Sequence, residues 1–203
     1  MRLRIFLTLC LLALFLGGSL IPPGNAVAET AMSGETFSAL AVLPAGAGMR
    51  MVGAGATTNL NIYIQSYTPD AVTQQYASLL LDGGPDKLLK ALEKAKSIGK
   101  VSLVGRVGFF DLKLIRSRPT ETGRRIVGVC DRPIRFLEAY SSGRSMDYTF
   151  GILILDLKTN SDGKEEGVGQ LIYAAKVKVL DGNKVEVENY GVEPAKLLGV
   201  RKL

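Results

Sequence analysis

The residues best suited to binding chemistry in this chain are arginines, and they are concentrated in one part of it. Between positions 106 and 144 the chain has eight arginines and one lysine, whereas lysine predominates in the rest of the chain after residue 28. The planar guanidinium group can hold a carboxylate, phosphate or sulfate through two hydrogen bonds, which the ammonium group of lysine cannot reproduce. This local preference for arginine therefore indicates a site for an anionic group.

The arginines are densest between two apolar runs, at 110–115 and 126–130. Proline, threonine and glycine residues separate the runs, which predicts a β-hairpin with a loop of about five residues. If Arg118 lies opposite Arg124, then Arg116, Arg118 and Arg124 share one face near the hairpin tip. A slip of one residue would separate them, because side chains alternate between the two faces of a strand. We predict these three arginines as anion-binding residues, with a solvated hairpin tip as the alternative.

Other catalytic chemistry is sparsely represented. The chain has no histidine, so a Ser-His-Asp triad is impossible and a common metal ligand is absent. Cys130 lies in an apolar segment and is expected to be a small buried side chain, and residues 160–163 are expected to form a polar hairpin loop rather than a calcium site. We expect no catalytic residue, no metal site and no cofactor. A carboxylate-based hydrolase is the alternative, and its candidate acids are Asp111, Asp131, Glu138, Asp147 and Asp156.

The first 28 residues have the features of a secretory signal peptide. Arg2 and Arg4 precede an apolar run at 5–16, and an Ala-Val-Ala cleavage site ends at Ala28. These residues contain two arginines and no acid, so their removal lowers the formal net charge from +6 to +4. We therefore expect a periplasmic or secreted protein, of the kind that bacteria export. With a modest charge, no long basic run and no later apolar span, we expect no nucleic-acid partner and no transmembrane segment after cleavage.

The periodicity of the remaining chain predicts a single domain. Residues 29–58 supply a strand and a Gly/Ala-rich loop, and residues 59–203 supply the rest. Thr68, Pro69 and Asp70 are typical of a helix start, and the segment from Pro69 to Ile98 predicts two helices separated by a Gly-Gly stop. A change of parity near 108–111 predicts a bulge or bend that curls the sheet. The expected fold class is α+β: a largely antiparallel curled sheet or β-barrel of about seven to nine strands with a two-helix segment. A β-sandwich is the alternative.

The last hairpin has the best-defined register. A two-residue turn at Asp181-Gly182 would mix apolar and charged faces, whereas a three-residue loop at 181–183 pairs Val179 with Val185 and Val177 with Val187. The same loop pairs Lys178 with Glu186 and Lys176 with Glu188. Because both the apolar and the charged pattern agree, we predict the three-residue loop.

These observations favour an exported, non-enzymatic binding or interaction protein. Its expected partner is an anionic lipid, glycan or protein group, and its oligomeric state stays open. The alternatives are a carboxylate-based envelope hydrolase and a structural envelope protein without a small ligand.

The signal peptide gives a direct prediction. Mass spectrometry of the exported protein should find Glu29 at the amino terminus, because the small residues at 26 and 28 fit the cleavage site. Recovery of intact residues 1–28 on membrane-bound material would contradict the periplasmic or secreted assignment.

Overall fold

The structure is a computed structural model that describes residues 34–42, 57–105, 107–134, 148–180, 184–189 and 193–203. Several sequence-based predictions lie outside these ranges: the signal peptide with its cleavage site after Ala28, most of the Gly/Ala-rich loop, and the candidate acids Glu138 and Asp147.

Within the described ranges ten strands form one antiparallel sheet, in the order β4-β3-β2-β1-β10-β8-β7-β6-β5, with β9 paired to β8. The sheet curls into a nearly closed barrel, which confirms the predicted α+β class with a curled antiparallel sheet. The number of strands is slightly larger than expected. The strands are β1 (Glu35–Val42), β2 (Thr57–Ile64), β3 (Gly99–Leu103), β4 (Phe110–Leu112), β5 (Leu114–Thr120), β6 (Gly123–Cys130), β7 (Phe150–Thr159), β8 (Glu165–Leu180), β9 (Lys184–Asn189) and β10 (Ala195–Lys202).

The barrel nearly closes because β4 and β5 are two halves of one bent strand. Leu112, at the end of β4, accepts a hydrogen bond of 2.9 Å from the backbone of Ile98, beside β3. The next residue, Lys113, donates a 2.9 Å hydrogen bond to the backbone of Val129 on β6. One strand therefore bonds to opposite ends of the sheet. The bend lies at Lys113, two residues beyond the segment 108–111 near which a bulge or bend was predicted. Residues 110–112 themselves pair with β3, where Val101 lies opposite Phe110.

The sheet buries apolar side chains on both faces. The barrel interior contains fully buried residues such as Phe37, Leu60, Ile62, Leu153 and Leu155. The outer faces of β5 to β9 form a second apolar cluster, and a helix packs on it. β7 is apolar on both faces and lies between β6 and β8, in the interior of the sheet.

The two predicted helices are present as the two halves of one helical segment, α1 (Asp70–Lys94). The halves are separated by a break at Gly84, whose φ of 73° and ψ of −178° are not helical. Leu80, Leu88 and Leu92 pack in the outer apolar cluster. No helix in the described ranges combines the length and apolarity needed to cross a membrane.

The start of α1 is tied to β5. The Thr68 hydroxyl does not cap the helix as predicted; it accepts a 2.9 Å hydrogen bond from the backbone N–H of Ile115. In the opposite direction, the backbone N–H of Thr68 donates to the Ile115 carbonyl at 2.8 Å. Because backbone groups of a strand lie in the plane of the sheet, these bonds place Thr68, just before α1, along the edge of β5 that faces away from β6.

The predicted register of the last hairpin is confirmed. Val177 pairs with Val187 and Val179 pairs with Val185, and the two lysine–glutamate pairs are also those predicted. Val177 and Val187 are both buried. The period-two pattern was sufficient here because each face has a single chemical character.

We expect Val187→Asp to lower the free energy of unfolding by a few kcal/mol, because it places an unpaired carboxylate in the outer apolar cluster. Lys184→Ala, on the same strand but exposed, should change it by less than about 0.5 kcal/mol. Urea denaturation of both variants checks this, and equal losses would contradict the assigned faces.

Candidate functional site

The β5–β6 hairpin has a different register from the predicted one. Thr120 pairs with Gly123, so the turn consists of only two residues, and Arg118 pairs with Arg125 rather than with Arg124. Gly123 belongs to the sheet because β7 passes close to it: a Cβ there would lie 2.2 Å from the Leu157 carbonyl oxygen. The predicted shared face of Arg116, Arg118 and Arg124 is therefore wrong. Arg124 faces the barrel, while the other two face outward.

On the inner side of the hairpin, Arg124 is the centre of an ion-pair network. Its Nε and Nη2 atoms donate to the two carboxylate oxygens of Glu165, at 2.6 Å each. Nη2 also donates to Glu35 Oε1 at 2.9 Å, and Nη1 donates to the Tyr67 hydroxyl at 3.0 Å. The ammonium group of Lys202 lies 2.6 Å from Glu35 and 3.6 Å from Glu165. Two carboxylates are thus held between two cations, in an arrangement we call the barrel-end network.

Glu35 is the most deeply buried member of the barrel-end network, with only 4% of its surface exposed. Burial alone would raise the pKa of its carboxyl group. Hydrogen bonds from Arg124, Lys202 and Tyr67 outweigh this effect and hold the pKa below its usual value of 4.5. The pKa of Tyr67 is raised, because its hydroxyl is buried and donates to the ionised carboxylate.

A cleft of about 830 Å³ opens above the barrel-end network. Ser117 and Pro119 line it on one side, and the β7–β8 turn at Gly163 and Lys164 lines it on the other. In that turn Asn160 accepts backbone hydrogen bonds from Asp162 and Lys164, which confirms the predicted polar hairpin loop. The cleft therefore has a floor of carboxylates that are already ion-paired.

On the outer side of the hairpin, Arg116, Arg118 and Arg125 form a second group, which we call the outer arginine face. The guanidinium of Arg116 lies 2.5 Å from Asp70 and donates to the Thr68 carbonyl at 3.0 Å. Arg125 donates to Asp156 at 2.5 Å. The register that separates Arg124 from this face brings Arg125 onto it.

Arg118 is the exception on the outer arginine face. No hydrogen bond or ion pair joins it to another residue in the described part of the chain. Its pKa is lowered, first because the side chain is partly buried and then because the charge of Arg116 is close. The charge of Asp70 acts on the pKa of Arg118 in the opposite direction.

The candidate acids of the hydrolase alternative do not pair with one another. Asp111 is bound by Arg132 at 3.1 Å, and Asp131 lies 3.8 Å from Lys113. Asp156 is held by Arg125. Each described candidate acid thus has a cation as its partner. Cys130 is buried, as predicted, and burial raises the pKa of its thiol to about 12.

Five residues of the two groups were not predicted as site residues: Glu35, Tyr67, Glu165, Lys202 and Arg125. A signal for Glu35 does exist, because it has the same parity as the core residues Phe37 and Ala39. An acid in phase with an apolar face predicts a buried charge that needs a cation. No comparable signal marks the other members, since only the closed barrel brings the ends of distant strands together.

The fold and the site define a nearly closed antiparallel barrel with one helix packed outside, an ion-pair network at one end and an arginine-lined outer face. Comparison with known proteins adds no relative: no protein-family model, no curated protein and no solved structure matches this chain.

We expect Arg124→Ala to lower the free energy of unfolding by about 3–5 kcal/mol, because it leaves the buried Glu35 with fewer cations and hydrogen bonds. Arg118→Ala is the matched control. It removes an arginine that has no described partner, so it should change stability by less than about 0.5 kcal/mol. Similar losses in the two variants would contradict the central role of Arg124.

The barrel-end network should also make stability depend on pH. Because the pKa of Glu35 is lower in the folded protein than its usual 4.5, its contribution is present above that value and is lost as the pH falls through the folded pKa. The stability difference between wild type and Glu35→Gln should therefore be largest above pH 4.5 and shrink in acid. Thermal unfolding as a function of pH checks this, and a constant difference would contradict it.

Proposed function

We propose that this protein is an exported, non-enzymatic binding module that holds an anionic group on the outer arginine face. The observation that carries the proposal is Arg118, which lies beside Arg116 and Arg125 with no acidic partner of its own among the described residues. The guanidinium group of Arg118 therefore lacks an anionic partner, and a bound anion would supply one.

The balance of charge supports this proposal. Asp70 and Asp156 each neutralise one arginine, at Arg116 and Arg125 respectively. Among the described residues, Arg118 is then the arginine of this face that no ion pair neutralises. Further along the same face, Lys158 lies opposite Glu166 on the neighbouring strand, so that pair adds no net charge.

The positions of the three arginines also suit an anion. Arg118 and Arg125 lie directly across the strand pair, where Cβ atoms are about 5 Å apart. Arg116 precedes Arg118 by two residues, roughly 7 Å along the same face. Like charges this close repel each other, and the pKa of Arg118 is lowered first by burial and then by the charge of Arg116. A phosphate, sulfate or carboxylate bound between them would relieve the repulsion.

A carboxylate-based hydrolase is the second candidate, because Glu35 and Glu165 line the same cleft. Glycoside hydrolysis needs one carboxyl group with a raised pKa to act as the acid. The pKa of Glu35 is instead lowered, and Arg124 and Lys202 contact both carboxylates. Glycan hydrolysis that is lost in Glu165→Gln would favour this second candidate over the binding module.

The binding proposal is tested by titrating the protein with inorganic phosphate, a heparin oligosaccharide and vesicles of phosphatidylglycerol. Arg118→Ala should weaken binding of the preferred probe by roughly tenfold or more, since a hydrogen bond to a charged group contributes about 1.5–3 kcal/mol. Arg118→Lys should also weaken it, because a lysine cannot make the two-pronged contact. Added salt should weaken binding as well, because exposed charges are screened over about 8 Å at physiological ionic strength.

Lys196→Ala removes an exposed cation from β10, a strand that does not pair with the hairpin, and serves as the matched control. It should leave binding unchanged. If Arg118→Ala and Lys196→Ala weaken binding equally, the attraction is general and the outer arginine face is not a site. If neither variant differs from wild type, the hairpin is solvated surface and the structural alternative gains support.

A further inference from the structure

The tip of the β3–β4 hairpin exposes large apolar side chains. Val104 is 51% exposed, Phe109 is 53% exposed, and Val107 is as exposed as a residue in an isolated extended chain, at 107%. We call these three residues the apolar tip. Single exposed apolar residues are normal on protein surfaces, but three within six positions at the end of one hairpin make this tip a candidate interaction surface.

The base of the apolar tip is fixed to the barrel. The backbone N–H of Val104 donates to the Asn59 carbonyl at 2.9 Å, and Phe110 pairs with Val101 across the hairpin. Gly105 and Gly108 have φ angles of 80° and 111°, and a Cβ at either position would meet no atom within 4 Å. The tip therefore projects into open space from an ordered base, and presenting its side chains requires no unfolding.

Positive charge accompanies the apolar tip. The ammonium group of Lys100 lies 5.0 Å from the centre of the Tyr63 ring and 5.5 Å from that of Phe109. The segment 104–110 contains one arginine and no acid. The nearest acid in the sequence, Asp111, is bound by Arg132. A cation thus lies against the aromatic rings at the base of the tip, with its acidic neighbour already neutralised.

We propose that the apolar tip inserts into the interface of an anionic lipid bilayer. A projecting apolar end with a cation behind it fits such a surface. The apolar side chains enter the boundary of the acyl region, while the cation remains among the anionic headgroups. The surface is separate from the outer arginine face, so the inference does not depend on the proposed function.

The chain contains no tryptophan, so a tryptophan placed at the tip is a unique local probe. We would titrate the full-length Val107→Trp protein with vesicles of phosphatidylcholine, with and without phosphatidylglycerol. Tryptophan emission should move to shorter wavelength with the anionic vesicles, and lipids carrying a shallow spin label should quench it. Val168→Trp replaces a valine that is 52% exposed on β8, and its emission should not respond.

Two further variants test the separate contributions. In the Val107→Trp background, Val104→Ser with Phe109→Ser should abolish the wavelength shift. Lys100→Gln should weaken partitioning onto anionic vesicles by roughly fivefold, which corresponds to about 1 kcal/mol for one basic residue at such a surface.

Several results would overturn the inference. An unchanged emission of Val107→Trp with anionic vesicles would do so, as would equal shifts at positions 107 and 168, which would mean contact through another part of the chain. Equal responses to neutral and anionic vesicles would refute the role of charge. A shift with a soluble protein but not with lipid would assign the tip to a protein partner instead.

Discussion

The alternation of side chains along β5 and β6 is the constraint on which both candidate sites depend. Arg124 and Arg125 are neighbours in sequence, yet they point to opposite faces of the sheet. Arg124 enters the barrel end and holds two carboxylates, while Arg125 joins Arg116 and Arg118 outside. A turn of two residues fixes this division, and a turn one residue longer would exchange the roles of the two arginines.

The barrel-end network connects segments that are far apart in sequence. Glu35 begins β1, Glu165 begins β8 and Lys202 ends β10, while Tyr67 follows β2 and Arg124 lies in β6. A buried carboxylate is costly unless it is paired, and Glu35 is paired through hydrogen bonds from Arg124, Lys202 and Tyr67. The network therefore forms only when the barrel has assembled correctly.

The sequence was most informative where both faces of a strand pair have a simple pattern. For β8 and β9, valines alternate with charged residues on both strands, and only one register satisfies both patterns. The register of the β5–β6 hairpin could not be predicted in this way, because arginines occupy both faces near its tip and polarity does not distinguish the faces. There the register depends on Gly123, whose lack of a side chain allows the β7 backbone to approach. That approach is a tertiary contact, and no local pattern shows it.

The helical segment illustrates a different limit. The Gly-Gly pair correctly marked a break, but the hydroxyl of Thr68, a good helix cap by its position, bonds to the backbone of Ile115 instead. By local propensity Thr68 can form either hydrogen bond, and the nearby strand determines that its hydroxyl bonds to Ile115. The barrel-end network is likewise not predictable from local sequence, since its members come from five segments that only the curled sheet brings together.

The pairing of β1 with β10 has a consequence for the order in which the fold can form. The first strand of the described chain lies between β2 and β10, and the backbone N–H of Leu203 donates to the Thr36 carbonyl at 2.9 Å. One edge of β1 therefore has no partner until β10 is available. A polypeptide that emerges with its amino terminus first cannot complete the barrel before β10 has been synthesised, and contacts this distant in sequence also slow folding. Up to that point β1 retains an unpaired edge, which another extended segment could occupy.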